Sequence, residues 1–273
     1  MSRKSRYLRI ALSALFVAVF VISGYNLWVT QANYSAEAAV HKRMLEFRPD
    51  GANGASGSGT AAAPADTAEK PRPQAVGVSP PEEGVYNGGI AELRRMNGDA
   101  AGWICIDGTA IDYPFVRGAD NDYYLRRDIY GNQAYAGTIF MDYRNQKDFS
   151  DYNTILYGHQ MKNGSMFHGL TKFNDRDFFD SHSTGTIYLE NQNIGLEIFA
   201  FLILGPMDLI NFEGDDKTGP PIEDYTDFIH ARARFWRDSG ISDGDRLVTL
   251  STCSYEFDNA RAVLVAKIAE SDR

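Results

Sequence analysis

Over about the last two thirds of the chain, short apolar runs rich in β-branched and aromatic residues alternate with turn signals, the pattern of β-strands. Dipeptides such as Asp107-Gly108 and Asn163-Gly164 separate these runs. The eight runs are AGWICID, AIDYPFVRG, AGTIFMDY, NTILYGH, GTIYLEN, GLEIFAFLIL, RLVTLSTC and AVLVAKIA. Eight strands with few helices predict a mainly β domain, a mixed or antiparallel barrel or sandwich, over residues 85–273.

Three segments of the same region have the apolar spacing of helices instead. The first, GIAELRRMN over residues 89–97, precedes the strands. The second extends from Gly164 to His182, and the third from Pro221 to Gly240. The third begins with proline and acids and ends with glycine, which are the usual signals of a helix start and stop. We therefore expect a helix before the first strand and another before the strand RLVTLSTC.

The N-terminal region has a different pattern, with 20 uncharged residues from Ile10 to Val29. That length is enough to cross a hydrocarbon core of about 30 Å as a helix. Basic residues precede it, so residues 1–9 are predicted to be a cytoplasmic tail and the body to lie outside the membrane. A cleaved signal peptide is the alternative, because SAEAA after Tyr34 offers small residues to a peptidase.

Residues 30–84 are predicted to connect this transmembrane anchor (residues 10–29) to the β domain. Residues 32–47 favour a short helix or stalk, and residues 48–84 are dominated by Gly, Ala, Ser and Pro. Such a composition cannot bury enough apolar surface to fold, so it indicates a flexible linker. The linker would let the folded part stand off the membrane.

Charge and cysteine content narrow the class of protein. The net charge of −9 is divided into +4 on the first 29 residues and −13 on the rest. An acidic body argues against nucleic acid as a partner. Outside the membrane, the two cysteines, Cys105 and Cys253, could form one disulfide, or one of them could be a functional thiol.

Two strand ends carry residues suited to catalysis. His159 ends the run TILYGH and opens a polar turn, and Cys253 ends RLVTLSTC. Taken alone, each residue could equally serve packing or the surface. Arg261 begins the next apolar run, so an antiparallel hairpin would bring it beside Cys253. An arginine at that point can hold a substrate carbonyl or a developing oxyanion.

A cysteine, a histidine and an arginine at strand ends together predict acyl transfer. The thiolate would attack a peptide carbonyl, the imidazole would protonate the leaving amine, and the arginine would stabilise the oxyanion. The cysteines lack metal-ligand spacing, and the acidic run EGDD over residues 213–216 does not match a calcium loop. We expect no metal and no cofactor.

Three motifs resemble those of the sortases, membrane-anchored cysteine transpeptidases of Gram-positive bacteria. They are TLSTCSYEFDNAR (residues 249–261), NTILYGHQMKNGSMF (153–167) and DNDYYLRRDIYGNQAYAGTIFMDYRN (120–145). The similarity covers roughly residues 85–270 and is greatest to class B, whose helix-bearing loop before the cysteine strand resembles Pro221 to Gly240. The resemblance implies an eight-stranded sortase-type β-barrel.

The resemblance also implies roles for individual residues. Cys253 would be the nucleophile, His159 the general acid and base, and Arg261 the clamp on the oxyanion. The weaker assignments are substrate-binding residues, namely Asn121, Leu125, Ser251 and Thr252. Cys105 would be structural. The turn between Cys253 and Arg261 is short for class B, which leaves the geometry of that loop open.

The implied reaction cleaves a C-terminal sorting motif of an exported surface protein and passes the acyl group to an amine of the cell-wall precursor. A pilin-polymerising enzyme with a lysine acceptor is an alternative, disfavoured because such enzymes usually have a lid loop or a C-terminal membrane segment. A plain cysteine protease is another alternative. The last is a non-catalytic tethered domain with a Cys105–Cys253 disulfide.

Overall fold

The computed structural model describes residues 3–49, 85–205, 208, 222–253 and 260–269. The helices in these residues are α1 (Arg3–Met44), α2 (Gly88–Met96), α3 (Arg176–Ser181) and α4 (Ile222–Arg232). The strands are β1 (Ala100–Ile106), β2 (Asp112–Val116), β3 (Ile139–Met141), β4 (Asn153–Tyr157), β5 (Thr184–Leu189), β6 (Gln192–Leu204), β7 (Ala233–Trp236), β8 (Leu247–Cys253) and β9 (Arg261–Ile268).

These nine strands form one sheet in the order β5-β1-β2-β3-β4-β8-β9-β6-β7. An additional pairing of β5 with β6 closes eight of them into a barrel, and β7 extends the sheet from the edge of β6. Each of the eight apolar runs of the sequence overlaps one of the barrel strands. The predicted mainly β, eight-stranded barrel is therefore confirmed.

Successive side chains of a strand point to opposite faces of the sheet, and this alternation divides the core into layers. In β1, Ile104 and Ile106 pack into the barrel interior. Trp103 and Cys105 lie in a second cluster with Ile90 of α2, on the outside of the barrel. β1 is buried on both faces, because α2 covers its outer face.

Two predicted helices differ from the structure. The segment from Gly164 to His182 forms a 3₁₀ helix, Phe167–Asn174, followed by α3. The helix predicted to extend to Gly240 ends at Arg232, and the chain continues as β7. Phe235 packs on the barrel interior whereas its neighbour Trp236 packs on the cluster outside, a two-residue period that suits a strand.

Helix α1 covers both the predicted anchor and the predicted stalk without interruption. Its end docks on the barrel, where Met44 is buried in the cluster of Ile90, Trp103 and Cys105 outside the barrel, called here the α2 layer. Just beyond the helix, Arg48 forms a salt bridge of 2.9 Å with Asp112 of β2. The C-terminal end of the predicted stalk is thus packed against the domain. Residues 50–84 of the predicted linker lie outside the described residues.

Candidate active site

Three adjacent strands bring His159, Cys253 and Arg261 to one end of the barrel. β4 runs parallel to β8, with Tyr157 paired with Ser251, and the Gly158 N–H continues this ladder by donating to the Ser251 carbonyl at 3.1 Å. His159 lies two residues after Tyr157, and Cys253 lies two residues after Ser251. β9 runs antiparallel to β8, with Arg261 paired with Cys253. The predicted β8–β9 hairpin is confirmed.

A backbone carbonyl orients the imidazole of His159. The ring is partly buried, and its Nε2 lies 2.7 Å from the carbonyl oxygen of Leu125. A carbonyl only accepts hydrogen bonds, so Nε2 must carry the proton and donate it. In the neutral ring Nδ1 is then the nitrogen that carries the lone pair.

Gly137 allows the Leu125 carbonyl to occupy that position. The glycine has a φ of +62°, and a Cβ added there would lie 2.7 Å from the Leu125 oxygen. Any other residue would be strained by the positive φ and would also push against the atom that holds His159. A glycine within the run AGTIFMDY is a signal of close backbone approach, and it could have identified this position from the sequence.

The turn after His159 is fixed on both sides. The Phe167 N–H donates to the His159 carbonyl at 3.0 Å, and the Met166 N–H donates to the Tyr113 hydroxyl at 2.9 Å. A Cβ on Gly158 would lie 2.8 Å from the Phe167 ring, so the ring packs directly on the backbone before His159. The histidine therefore projects from a rigid turn.

An open cavity of about 520 Å³ lies beside His159. Helix α1 forms one wall through residues that directly follow the predicted membrane span, and two loops of the barrel form the rest. The lining includes Thr30, Asn33, Tyr34, Arg126, Tyr135 and Lys162. The sequence did not indicate this wall, because the contact joins segments about 100 residues or more apart. Among the described residues no group of acids, cysteines or histidines could hold a metal ion.

The chain is similar to known proteins over this domain. It is 38% identical over 181 residues to the sortase B of Listeria monocytogenes, covering 66% of this chain and 73% of that protein. The sortase B of Staphylococcus aureus is 32% identical over 184 residues, covering 64% and 72% of the two chains. The chain belongs to the sortase B family. No family model matches it.

Solved structures of sortases share this fold. The sortase B of Clostridium perfringens has a TM-score of 0.60 at 34% identity, with 66% of this chain and 99% of that chain covered. A Streptococcus pyogenes class B sortase involved in pilus biogenesis has a TM-score of 0.61 at 28% identity, with 66% and 97% covered. The activity of this chain is accordingly that of a sortase transpeptidase.

In this sortase, Asn121 has structural partners. Its side-chain N–H donates to Asp142 Oδ2 at 2.9 Å, and its oxygen accepts from the Tyr143 N–H at 3.0 Å. Burial would raise the pKa of Asp142, but the side chain and backbone N–H of Arg144 and the side chain of Asn121 outweigh it and lower the pKa. The carboxylate also accepts from the Tyr157 hydroxyl at 3.1 Å, which ties this loop to the strand that carries His159.

The other three substrate-binding candidates are mostly buried. Ser251 is 4% and Thr252 is 0% exposed, and the Thr252 hydroxyl has no hydrogen-bond partner among the described residues. Leu125 is partly buried, and its contact with His159 is made by the backbone rather than by the side chain. Their assignment as substrate-binding residues stays a prediction.

Cys105 lies far from Cys253 in the barrel. Three strands separate β1 from β8 in either direction around the closed sheet, and neighbouring strands are about 4.8 Å apart. The Cys105 side chain packs in the α2 layer beside Trp103. A disulfide needs Cα atoms within about 7 Å, so the alternative of a Cys105–Cys253 bridge is wrong for this fold.

Proposed function

We propose that this sortase is anchored in the cell membrane and joins surface proteins to an amine of the cell-wall precursor. It would cleave a C-terminal sorting motif after its threonine and hold the acyl group as a thioester on Cys253. The backbone register that sets Cys253 opposite Arg261 and level with His159 carries this proposal. Family membership supports the reaction type.

Each of the three residues has a defined step in this proposal. The thiolate of Cys253 attacks the threonine carbonyl, and the Arg261 guanidinium stabilises the resulting oxyanion. The C–N bond then breaks as protonated His159 gives its Nδ1 proton to the leaving amine. In the second half the acceptor amine attacks the thioester and gives a proton to Nδ1. The C–S bond breaks, and the thiolate is restored.

The proposed topology follows from the N-terminal helix. Residues 1–9 would be the cytoplasmic tail, residues 10–29 the transmembrane anchor and residues 85–273 the catalytic domain outside the membrane. The helix is apolar and long enough to cross a bilayer, and no part of its apolar stretch is buried against the rest of the protein. Basic residues precede the apolar stretch, which favours a cytoplasmic N-terminus.

A lysine of a pilin is the second candidate acceptor. The observation that favours it is the match to the Streptococcus pyogenes class B sortase, whose name associates it with pilus biogenesis. The barrel does not distinguish the two acceptors, since the S. pyogenes and C. perfringens enzymes match this chain with similar TM-scores. An experiment with both amines would distinguish the two acceptors.

The test is cleavage of a library of sorting-motif peptides by the full chain in detergent, with cross-bridge peptide or pilin lysine peptide as the added amine. We expect a transpeptidation product, formed faster with the cross-bridge amine. In Cys253→Ala the rate should fall by at least about 10³-fold with an unchanged melting temperature, because the nucleophile is lost. Peptide cleavage by that variant at the normal rate would refute the assignment, and hydrolysis alone despite added amine would indicate a protease.

A further inference from the structure

Helix α1 connects the apolar N-terminal segment rigidly to the catalytic domain. It is one helix from Arg3 to Met44, without a break between the predicted span and the docked end. Large apolar side chains of the span, such as Phe20 and Trp28, are 72% and 68% exposed, so the barrel does not cover them. Lipid is the partner that suits such a surface. The orientation of this helix in a bilayer therefore also orients the barrel.

The contacts of α1 follow an order along its axis. Thr30, Asn33 and Tyr34, directly after the predicted span, line the cavity that contains His159. Further along, His41 lies with its ring centre 4.6 Å from that of Tyr113. Met44 comes last and enters the α2 layer. The part of the domain nearest the span is thus the His159 cavity, and the α2 layer is further from it.

The distance between span and cavity is short. A helix rises about 1.5 Å per residue, so Tyr34 lies only about 8 Å beyond Val29, the last residue of the predicted span. The headgroup region on each side of a bilayer is about 5–8 Å thick. Residues 30–34, and the cavity that they line, would therefore lie at the level of the lipid headgroups.

The exposed residues of the cavity rim suit that environment. Arg126 and Lys162 are exposed cations on two different loops, and both line the cavity. Tyr135, also a lining residue, is 59% exposed. Cationic side chains are attracted to lipid phosphates, and tyrosine is enriched at membrane interfaces. The rest of the chain beyond the span is acidic, so these cations are set against the general charge of the domain.

We propose that the face of the domain that carries His159, Arg126, Tyr135 and Lys162 rests on the lipid headgroup layer of the outer leaflet. The proposal depends on the membrane anchoring given under Proposed function, and goes beyond it by fixing the orientation of the active site. The cavity then opens at the membrane surface. An amine presented at the level of the headgroup layer then reaches the thioester more readily than an amine displayed further out.

The test measures the depth of a fluorophore in vesicles that contain the full chain. Lys162→Cys and Ser242→Cys are each labelled on a Cys253→Ala background, and the background alone must take up no label because Cys105 is buried. Ser242 is exposed and lies near the start of β8, about 20 Å from the Cys253 end. Phosphatidylcholine–phosphatidylglycerol vesicles with nitroxide on the headgroup supply the quencher.

We expect the label at position 162 to be quenched at least about threefold more than the label at 242. Gln31→Pro should reduce the difference, because it interrupts α1 between the span and its docked end, and Gln31→Ala should keep it. Equal quenching at both positions in a chain that floats with the vesicles would overturn the orientation alone. A chain that does not float would overturn the anchoring as well, while transpeptidation in detergent tests the reaction separately.

Discussion

The parallel strands β4 and β8 have a polar cluster at each end, and the two clusters are built differently. At the starting end, the Asn153 side-chain N–H donates to the Tyr225 hydroxyl at 2.8 Å, and the Thr249 hydroxyl donates to the Asn153 oxygen at 2.9 Å. All three residues are buried. At the other end, His159 is partly exposed beside an open cavity, and the buried Thr252 hydroxyl has no partner among the described residues.

In the proposed mechanism, the same strands serve stability at one end and chemistry at the other. The closed cluster satisfies its own polar groups, so its hydrogen bonds contribute to the free energy of unfolding and to nothing outside the domain. At the open end, Nε2 of His159 donates to the Leu125 carbonyl, and the ring borders the open cavity. Substitutions should therefore affect stability at one end and turnover at the other.

The largest effect is expected for His159→Ala. Loss of the acid and base should lower kcat/KM for transpeptidation by about 10²–10⁴-fold, because proton transfer to the leaving amine is lost. The melting temperature should change little, because the ring is at the surface of a turn that other contacts hold. Steady-state kinetics and thermal unfolding of the same sample check this. Normal turnover would remove His159 from the mechanism.

Gly137→Ala should lower kcat/KM by up to about 10²-fold without touching a reacting group. The new Cβ would push on the backbone carbonyls of Tyr124 and Leu125 and thereby displace the imidazole that Leu125 orients, and misplacement by about 1 Å can have that effect. Gly131→Ala is the matched control, since Gly131 has a φ of +82° but its Cβ would meet only the Tyr123 hydroxyl, at 3.3 Å.

The positive φ should destabilise both glycine variants by about 1–2 kcal/mol, and Gly137→Ala should lose more because its Cβ also meets two backbone carbonyls. Only Gly137→Ala should also have a lower turnover per folded molecule. Active-site titration with a thiol-reactive peptide measures the amount of folded enzyme in each sample. Equal kcat/KM in the two variants would mean that the Leu125 carbonyl does not position His159.

Asn153→Ala should affect the closed cluster alone. It leaves the Tyr225 and Thr249 hydroxyls without the Asn153 partner in a buried site, which costs about 2–3 kcal/mol of the free energy of unfolding. Urea unfolding followed by fluorescence measures this cost. Turnover per folded molecule should stay within about twofold of the parent, and a larger fall would show that the two ends of the strand pair are coupled.

Strand periodicity and turn signals are local, so the sequence predicted the eight strands and the β8–β9 hairpin, while the barrel rather than a sandwich was implied by the resemblance to sortases. The sequence did not predict that β4 and β8 are parallel neighbours, since that pairing joins segments 94 positions apart in register. The resemblance assigned Asn121 to substrate binding, which stays a prediction, and the hydrogen bond from Asn121 to Asp142 could not be read from the sequence. The docking of α1 could not be predicted, because residues 30–47 have the composition of an ordinary exposed helix.

Thr252→Val should have the smallest effect and separates two roles of this residue. The valine replaces a fully buried hydroxyl that has no partner among the described residues, so the folded state should be unchanged or stabilised by up to about 1 kcal/mol. If Thr252 only fills the strand, kcat/KM stays within about threefold of the parent, which is the result we expect. A fall of tenfold or more in kcat with an undiminished melting temperature would show instead that the hydroxyl supports the oxyanion beside Cys253. Thr252 would then belong to the chemistry of the open end, as Asn153 belongs to the stability of the closed one.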